Sequence, residues 1–232
     1  MASVARASSD DGNTARQAAL SRKGLQTRAR LLSAAKEVFE RDGFLDARIV
    51  DIAEGASLAP GGFYHYFDSK EELFLEVAQT QEEKLTAPCD DLAGGQDEPS
   101  PVESIRRANR MYLERYRDES ALMGVIEQVS RFDEDVNEAR MATMKHFVER
   151  AERFIRRLQR EGSVDGRLDP SMAADALGAM IARTAELWLV QGYRDYDFEH
   201  AVEQLSLLWA NALGLVDDGI GRKTSARRRS RQ

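Results

Sequence analysis

The chain has 232 residues, of which 42% are hydrophobic, enough to form the core of one large domain or two small ones. Five prolines and no long run of alternating β-branched residues predict an all-α protein. The single cysteine, Cys89, excludes an internal disulfide, and no apolar run approaches the about 20 residues that a membrane span needs. The first residues also lack the apolar core of a secretion signal, so we expect a cytoplasmic protein.

The net charge of −7 is distributed unevenly. Residues 1–30 contain six Arg or Lys and two Asp, and residues 222–232 contain six basic residues and no acid. An acidic body with basic ends is not typical of a protein that binds polyanions unselectively. It is compatible with a protein that binds nucleic acid at one site. We predict that residues 1–24 and 217–232 are disordered basic tails.

The N-terminal part of the body is predicted to form four helices. Thr27 is a suitable N-cap for the first helix, and Gly43 is a suitable stop. Pro60 suits the first position of the third helix, and Ser69 with Glu72 forms a capping box at the start of the fourth. The predicted spans are about 27–43, 48–55, 60–66 and 69–86.

Three short helices, with a tight turn between the second and the third, are the ingredients of a helix-turn-helix DNA-binding motif. The third helix opens with Gly61 and Gly62, although each glycine costs a helix about 1 kcal/mol relative to alanine. Glycine is useful there if the helix end lies against DNA, because no side chain then separates the backbone from phosphates or base edges. Phe63 and Phe67 are expected to pack inward behind this end. The candidate DNA contacts of the region are Pro60, Gly61, Gly62, Tyr64, His65 and Lys70.

Five longer helices are predicted beyond this region, at about 101–117, 120–129, 134–161, 169–191 and 198–213. The fourth of these is rich in small residues and the fifth is apolar, so two copies of the pair would form a four-helix bundle between two chains. We therefore predict a homodimer. The predicted interface residues are Ala176, Ala179, Leu187, Leu205, Leu208 and Trp209. A core within one chain is the alternative for these side chains.

The second domain also offers candidate side chains for a ligand pocket, although a stripe of methionine and aromatic residues is more often plain core. These candidates are Met111, Tyr112, Met123, Phe147, Phe154, Met180 and Trp188. No charged cluster accompanies them, so a ligand is expected to be apolar or to have one polar end.

An enzyme is not expected, because the three histidines are far apart and the chain lacks the common nucleophile, phosphate-binding and metal motifs. We predict no cofactor and no metal site. The predicted domains are 25–80 for DNA binding and 81–216 for effector binding and dimerisation. The alternative to a ligand-responsive regulator is a DNA-binding protein of the same fold that has no small-molecule effector and plays an architectural or activator role.

The run TRARLLSAAKEVFERDGFLDARIVDIAEGASLAPGGFYHYFDSKEEL, from Thr27 to Leu73, closely resembles the N-terminal domain of the TetR (tetracycline-repressor-like) family of bacterial transcription regulators. It covers 47 residues, about a fifth of the chain. The segments that carry the resemblance are Ala34-Ala35, Phe39, Gly43-Phe44, Asp51-Ile52-Ala53, Phe63 to Phe67 and Ser69 to Leu73.

The resemblance implies nine or so helices in two domains, a homodimer built from the last two helices, and a small-molecule pocket in the C-terminal domain. We predict a repressor that leaves its DNA operator when a small ligand binds in the C-terminal domain. The resemblance also implies that a set of residues lies at the DNA, with phosphate contacts from the starts of the first two helices. This set is Gly61, Gly62, Tyr64, His65 and Lys70, with Thr27, Arg28 and Arg48 as the phosphate contacts.

Two places depart from the family pattern. Ala47 and Arg48 stand where the family usually has Thr or Ser, so the second helix lacks a hydroxyl cap, and we expect Asp46 to replace it. Ala59 and Gly62 stand where the family favours Ser or Thr, which reduces base recognition by side chains. We therefore expect groove shape and DNA deformability to contribute more to sequence discrimination than is usual.

Overall fold

The computed structural model describes residues 21–86 and 99–215. The regular elements in these two ranges are all helical, which confirms the predicted fold class. They are α1 (Arg22–Asp46), α2 (Ile49–Gly55), α3 (Pro60–Phe63), α4 (Lys70–Thr86), α5 (Pro101–Asp118), α6 (Ser120–Val129), α7 (Glu134–Arg160), α8 (Pro170–Ala185), a π-helical turn (Glu186–Val190) and α9 (Phe198–Ala212). Cys89, residues 1–20 and the predicted C-terminal tail lie outside the described residues.

The first helix begins earlier than the sequence predicted. Ser21, rather than Thr27, is its N-cap, and the Ser21 side chain accepts a hydrogen bond from Gly24 N at 3.3 Å. Residues 22–24 are therefore the first turn of α1 and not part of a disordered tail. Gly43 interrupts the regular helix as predicted, because it adopts a φ of 73°, a left-handed conformation that glycine tolerates.

The described chain forms two compact units. The first comprises the described residues up to Gln81 together with Val125–Asn137. Its core is aromatic: the ring of Phe74 lies 4.9 Å from those of both Phe39 and Phe44. Residues 125–137 belong to the second domain in the sequence-based prediction, whereas the ring of Phe132 lies 6.3 Å from that of Phe44. The helical pattern shows which face is apolar, but it does not show which neighbour covers that face.

The second unit comprises Glu82–Gly124 and the described residues from Glu138 onward. Its core draws on α5, α7, α8 and α9 through Leu113, Tyr116, Ile155, Leu158, Ile181 and Trp209, all buried. Asp169 caps α8 as predicted, accepting from Met172 N at 2.8 Å.

The helix predicted over 169–191 changes character near its end. A π-helical turn occupies Glu186–Val190, and Gly192 follows it with a φ of 61°. Gly192 therefore lies where the sequence predicted the stop. None of the helices in the described ranges is long and apolar enough to cross a membrane.

Candidate nucleic-acid interface

The turn between α2 and α3 is held by backbone hydrogen bonds and by two buried side chains. Leu58 N donates to Ala53 O at 2.8 Å, and Ser57 adopts a φ of 59°. Ile52 and Ala53 are fully buried under the turn. This arrangement is the helix-turn-helix that the sequence predicted.

The start of α3 is exposed, and its far side is anchored. Phe63 and Phe67 are both 0% exposed, with ring centroids 5.9 Å apart, which confirms that they pack inward. Pro60 is exposed, and so are Tyr64 and His65. The helix itself is shorter than the predicted span of 60–66. After Phe63 the chain continues as a turn, in which Phe67 N donates to Phe63 O at 3.2 Å.

The protein itself does not require a glycine at position 61. A Cβ built on Gly61 would meet no atom within 4 Å, and Gly61 is exposed. A Cβ on Gly62 would meet Leu58 at 3.6 Å, an ordinary contact. An alanine at position 61 therefore fits the folded chain, and the reason for a glycine has to lie outside it.

Arg48 lies at the start of α2 and is exposed. It is the N-cap residue, and no side chain caps this helix, so the expectation that Asp46 does so is wrong. Asp46 is the last residue of α1, and the backbone is extended at both Ala47 and Arg48. The Arg48 guanidinium donates to both Asp51 oxygens at 2.7 and 2.8 Å. This hydrogen-bonded pair raises the pKa of Arg48 and lowers the pKa of Asp51.

Thr27 and Arg28 are buried, so they do not present side chains to a phosphate as the sequence analysis expected. The Thr27 hydroxyl donates to Lys23 O at 3.0 Å. The Arg28 guanidinium pairs with the Glu76 carboxylate and lies 4.6 Å from the centre of the Phe67 ring. Both positions lie past the first turn of α1, because the helix begins at residue 22.

The exposed cations at the true start of α1 are Arg22 and Lys23. These two cations were not among the predicted contacts, because the N-cap was predicted at Thr27. Ser21 was the available signal, since serine is as good an N-cap as threonine or better.

Lys70 is half-buried and is directed at the backbone of the first unit. Its ammonium donates to the carbonyls of Phe44, Leu45 and Ala47 at 2.7, 3.2 and 3.0 Å. It also lies 4.7 Å from the centre of the Phe44 ring. These bonds fix the turn between α1 and α2, so Lys70 positions the start of α2, whereas the sequence analysis expected it at the DNA.

Lys70→Met tests this positioning role. The change keeps an unbranched side chain but removes all three donors, so we expect it to lower the free energy of unfolding by about 1.5–3 kcal/mol. Affinity for DNA should also fall, while the dependence of log K on log salt keeps its slope. A phosphate contact would instead lower that slope by about 1.

Urea unfolding and DNA titrations at several salt concentrations measure the two quantities. Lys84→Met is the control, because Lys84 is an exposed lysine of the same helix. A lower salt slope with unchanged stability in Lys70→Met would assign the residue to phosphate after all.

The second unit contains a cavity of about 100 Å³. Its lining residues come from α5, α7 and α9: Ser104, Ile105, Ala108, Asn109, Met111, Phe147, Arg150, Ala151, Phe154 and Trp209. Met111, Phe147 and Phe154 belong to the predicted pocket. The other four predicted lining residues, Tyr112, Met123, Met180 and Trp188, do not line this cavity.

The residues predicted for a dimer interface fall into two groups. Ala176, Ala179 and Leu208 are exposed, and Leu187 is half-buried. Leu205 and Trp209 are buried within the chain, and Trp209 Nε1 donates to Leu177 O at 3.2 Å. The last two are therefore corrected to core residues.

Two further apolar side chains of α8 and α9 are accessible: Met172 is 68% exposed and Leu207 is 36% exposed. These two side chains were not among the predicted interface residues, because helical spacing alone does not distinguish the inner face of a helix from an apolar outer face. No group of three or more His, Cys, Asp or Glu residues that could hold a metal occurs in the two described ranges.

Comparisons with known proteins agree with this geometry. The family model described as "Bacterial regulatory proteins, tetR family" matches residues 31–77, which include α2, α3 and the turn between them. The regulator YdgC of Bacillus subtilis is 28% identical over 186 residues, covering 75% of this chain and 86% of YdgC. These matches support a TetR-family transcriptional regulator. The TetR-type match thus includes the exposed end of α3 at Pro60.

Other similar proteins are named as a transcriptional regulator and as a repressor. The regulator UidR of Escherichia coli is 38% identical over 61 residues, which is 26% of this chain and only 31% of UidR. SmeT, the repressor of the Stenotrophomonas maltophilia multidrug efflux pump SmeDEF, superimposes with a TM-score of 0.60 at 21% identity. That superposition covers 84% of this chain and 94% of SmeT, so the two proteins share a fold that extends beyond the N-terminal domain.

Proposed function

We propose that this protein is a DNA-binding transcriptional regulator, a repressor that leaves its operator when a small and largely apolar ligand binds. The observation that carries the proposal is the exposed end of α3, held from behind by Phe63 and Phe67. A short helix that presents backbone, Tyr64 and His65 on a fixed support is suited to a DNA groove.

The groups around α3 supply the electrostatic part of binding. Arg48, at the start of α2, is the exposed cation among the residues first predicted to contact phosphate. Arg22 and Lys23 add two more at the start of α1. A phosphate would compete with Asp51 for the Arg48 guanidinium, so this contact depends on salt concentration.

The effector part of the proposal is supported by the cavity of the second unit, because its lining is mainly apolar. SmeT is a repressor with the same fold, which is why repression is preferred to activation. Release of DNA needs a coupling of about 1–3 kcal/mol between ligand and DNA, and the ligand has to bind the DNA-free form more tightly.

Sequencing the genomic fragments that the purified full-length chain retains at low salt tests DNA binding. We expect one enriched motif with two related halves, since a symmetric dimer spaces two reading helices about 34 Å apart. Failure to retain any fragment would contradict the proposal. An enriched motif whose affinity no ligand changes would leave a regulator without an effector.

Gly61→Ala should raise stability and weaken DNA binding at the same time. Alanine is favoured over glycine in helices and its Cβ meets nothing here, so we expect a gain of about 0.4–1 kcal/mol in unfolding free energy. The same methyl group would hold the backbone away from the duplex, so we expect operator affinity to fall at least about fivefold. This change corresponds to the loss of roughly one hydrogen bond.

Thermal unfolding and operator titration of the same preparation measure the two effects of Gly61→Ala. Gly166→Ala is the control, because a Cβ there also meets nothing within 4 Å and the site lies in the second unit. Unchanged operator affinity in Gly61→Ala would show that the backbone at position 61 does not approach DNA.

A further inference from the structure

Asn109 is a polar residue in the lining of the cavity, and it is only 3% exposed. Its amide nitrogen donates to Ser206 Oγ at 3.1 Å, and Ser206 Oγ donates to Val202 O at 2.7 Å. A hydroxyl group has one proton, and Val202 O takes it, so Ser206 Oγ can only accept from Asn109. The network therefore fixes the amide orientation, with Nδ2 toward Ser206.

This orientation leaves the Asn109 carbonyl oxygen for another donor. Within the described part of the chain, Asn109 forms only the one side-chain hydrogen bond, the bond to Ser206. A carbonyl oxygen that loses its water when a ligand binds is unfavourable unless the ligand donates a hydrogen bond in return. Because Asn109 lines the cavity, a molecule bound there can supply the missing donor.

The other lining residues restrict what that molecule can be. Phe147, Phe154 and Trp209 favour an aromatic ring, and about 100 Å³ approaches the roughly 150 Å³ of an apolar cavity that holds benzene. Arg150 also lines the cavity and disfavours a cation by like-charge repulsion. A carboxylate would face the Asn109 oxygen with no proton to donate, and the Arg150 guanidinium already has a partner within the chain. The remaining class is a neutral aromatic molecule with one hydroxyl or N–H group.

We propose that the cavity binds a small neutral aromatic molecule with one hydrogen-bond donor, and that Asn109 Oδ1 accepts this donor. The inference rests on the proposed function only in treating the cavity as the effector site. It assigns Asn109 as the residue that distinguishes such ligands from pure hydrocarbons of the same shape.

Phenol and toluene are the probes, because they differ by a hydroxyl group in place of a methyl group and both are neutral at pH 7. Isothermal titration calorimetry on the full chain gives both affinities. We expect phenol to bind at least about fivefold more tightly, although hydrophobicity alone favours toluene.

Asn109→Leu removes the acceptor and keeps a similar size, while Ser206 keeps its bond to Val202. We expect this variant to bind toluene as tightly as phenol or more tightly. Asn137→Leu is the control, since Asn137 is exposed and belongs to the first unit, and it should keep the preference of the unchanged chain.

The comparison of phenol with toluene in the unchanged chain tests the predicted preference for a hydrogen-bond donor even if Asn109→Leu does not fold. Equal affinities, tighter binding of toluene, or no binding of either probe at millimolar concentration would overturn the inference. Operator binding, measured in parallel, separates the two proposals. Retained DNA binding with no phenol preference refutes only the role of Asn109, whereas a phenol preference without DNA binding refutes only the regulator.

Discussion

Arg28→Ala is expected to lower the free energy of unfolding by about 3–5 kcal/mol, because it leaves the largely buried Glu76 carboxylate without its main partner. The side chains of Arg28 and Glu76 are only 8% and 17% exposed. The variant also loses the packing of the guanidinium on the Phe67 ring. Urea unfolding with a probe in the first unit measures the effect.

The double change Arg28→Met with Glu76→Leu should recover most of that loss. Two apolar side chains of similar volume remove both charges together, and such replacements of buried pairs are often neutral or better. Arg30→Ala is the matched control, since Arg30 is exposed two positions away and should change stability by no more than about 0.5 kcal/mol.

The two roles considered for Arg28 give opposite results. A phosphate contact would leave stability almost unchanged and would lower the salt slope of DNA binding by about 1. A buried ion pair changes stability and leaves that slope alone. An Arg28→Ala protein with unchanged stability and a reduced salt slope of DNA binding would therefore support the phosphate contact that was predicted from the sequence.

Local patterns predicted most of the helices, because their signals lie within one or two turns of the element they describe. Asp169 caps α8 in the predicted place, and Gly43 interrupts α1. The inward packing of Phe63 and Phe67 also follows from helical spacing and is confirmed. The π-helical turn at Glu186–Val190 has no comparable sequence signal.

Long-range partners could not be predicted from local patterns. Arg28 looks like a free cation near a helix start, and its partner Glu76 lies 48 residues along the chain. Lys70 has the same appearance, yet three backbone carbonyls hold its ammonium. Trp209 and Leu208 are neighbours in an apolar helix, but only the structure shows that the first is core and the second is surface.

Leu208→Glu is expected to convert a dimer into monomers and to weaken operator binding about 10²–10⁴-fold. Leu208 is 53% exposed on α9, and Met172 of α8 is 68% exposed, so apolar surface is accessible on both helices of the proposed bundle. A buried carboxylate at that interface has no partner and prevents association. Sedimentation equilibrium and operator titration measure the two effects.

The loss of affinity follows from how a dimer engages two half-sites. Once one reading helix is bound, the second meets its half-site at an effective concentration near millimolar, which multiplies the affinity of a single subunit. Met141→Glu is the control, because Met141 is 50% exposed on α7, outside both bundle helices. It should keep the mass and the affinity of the unchanged chain. A Leu208→Glu protein that stays dimeric would contradict a dimer interface at Leu208. A monomer that binds the operator at full strength would show that α1 to α4 are sufficient for DNA recognition, without dimerisation through α8 and α9.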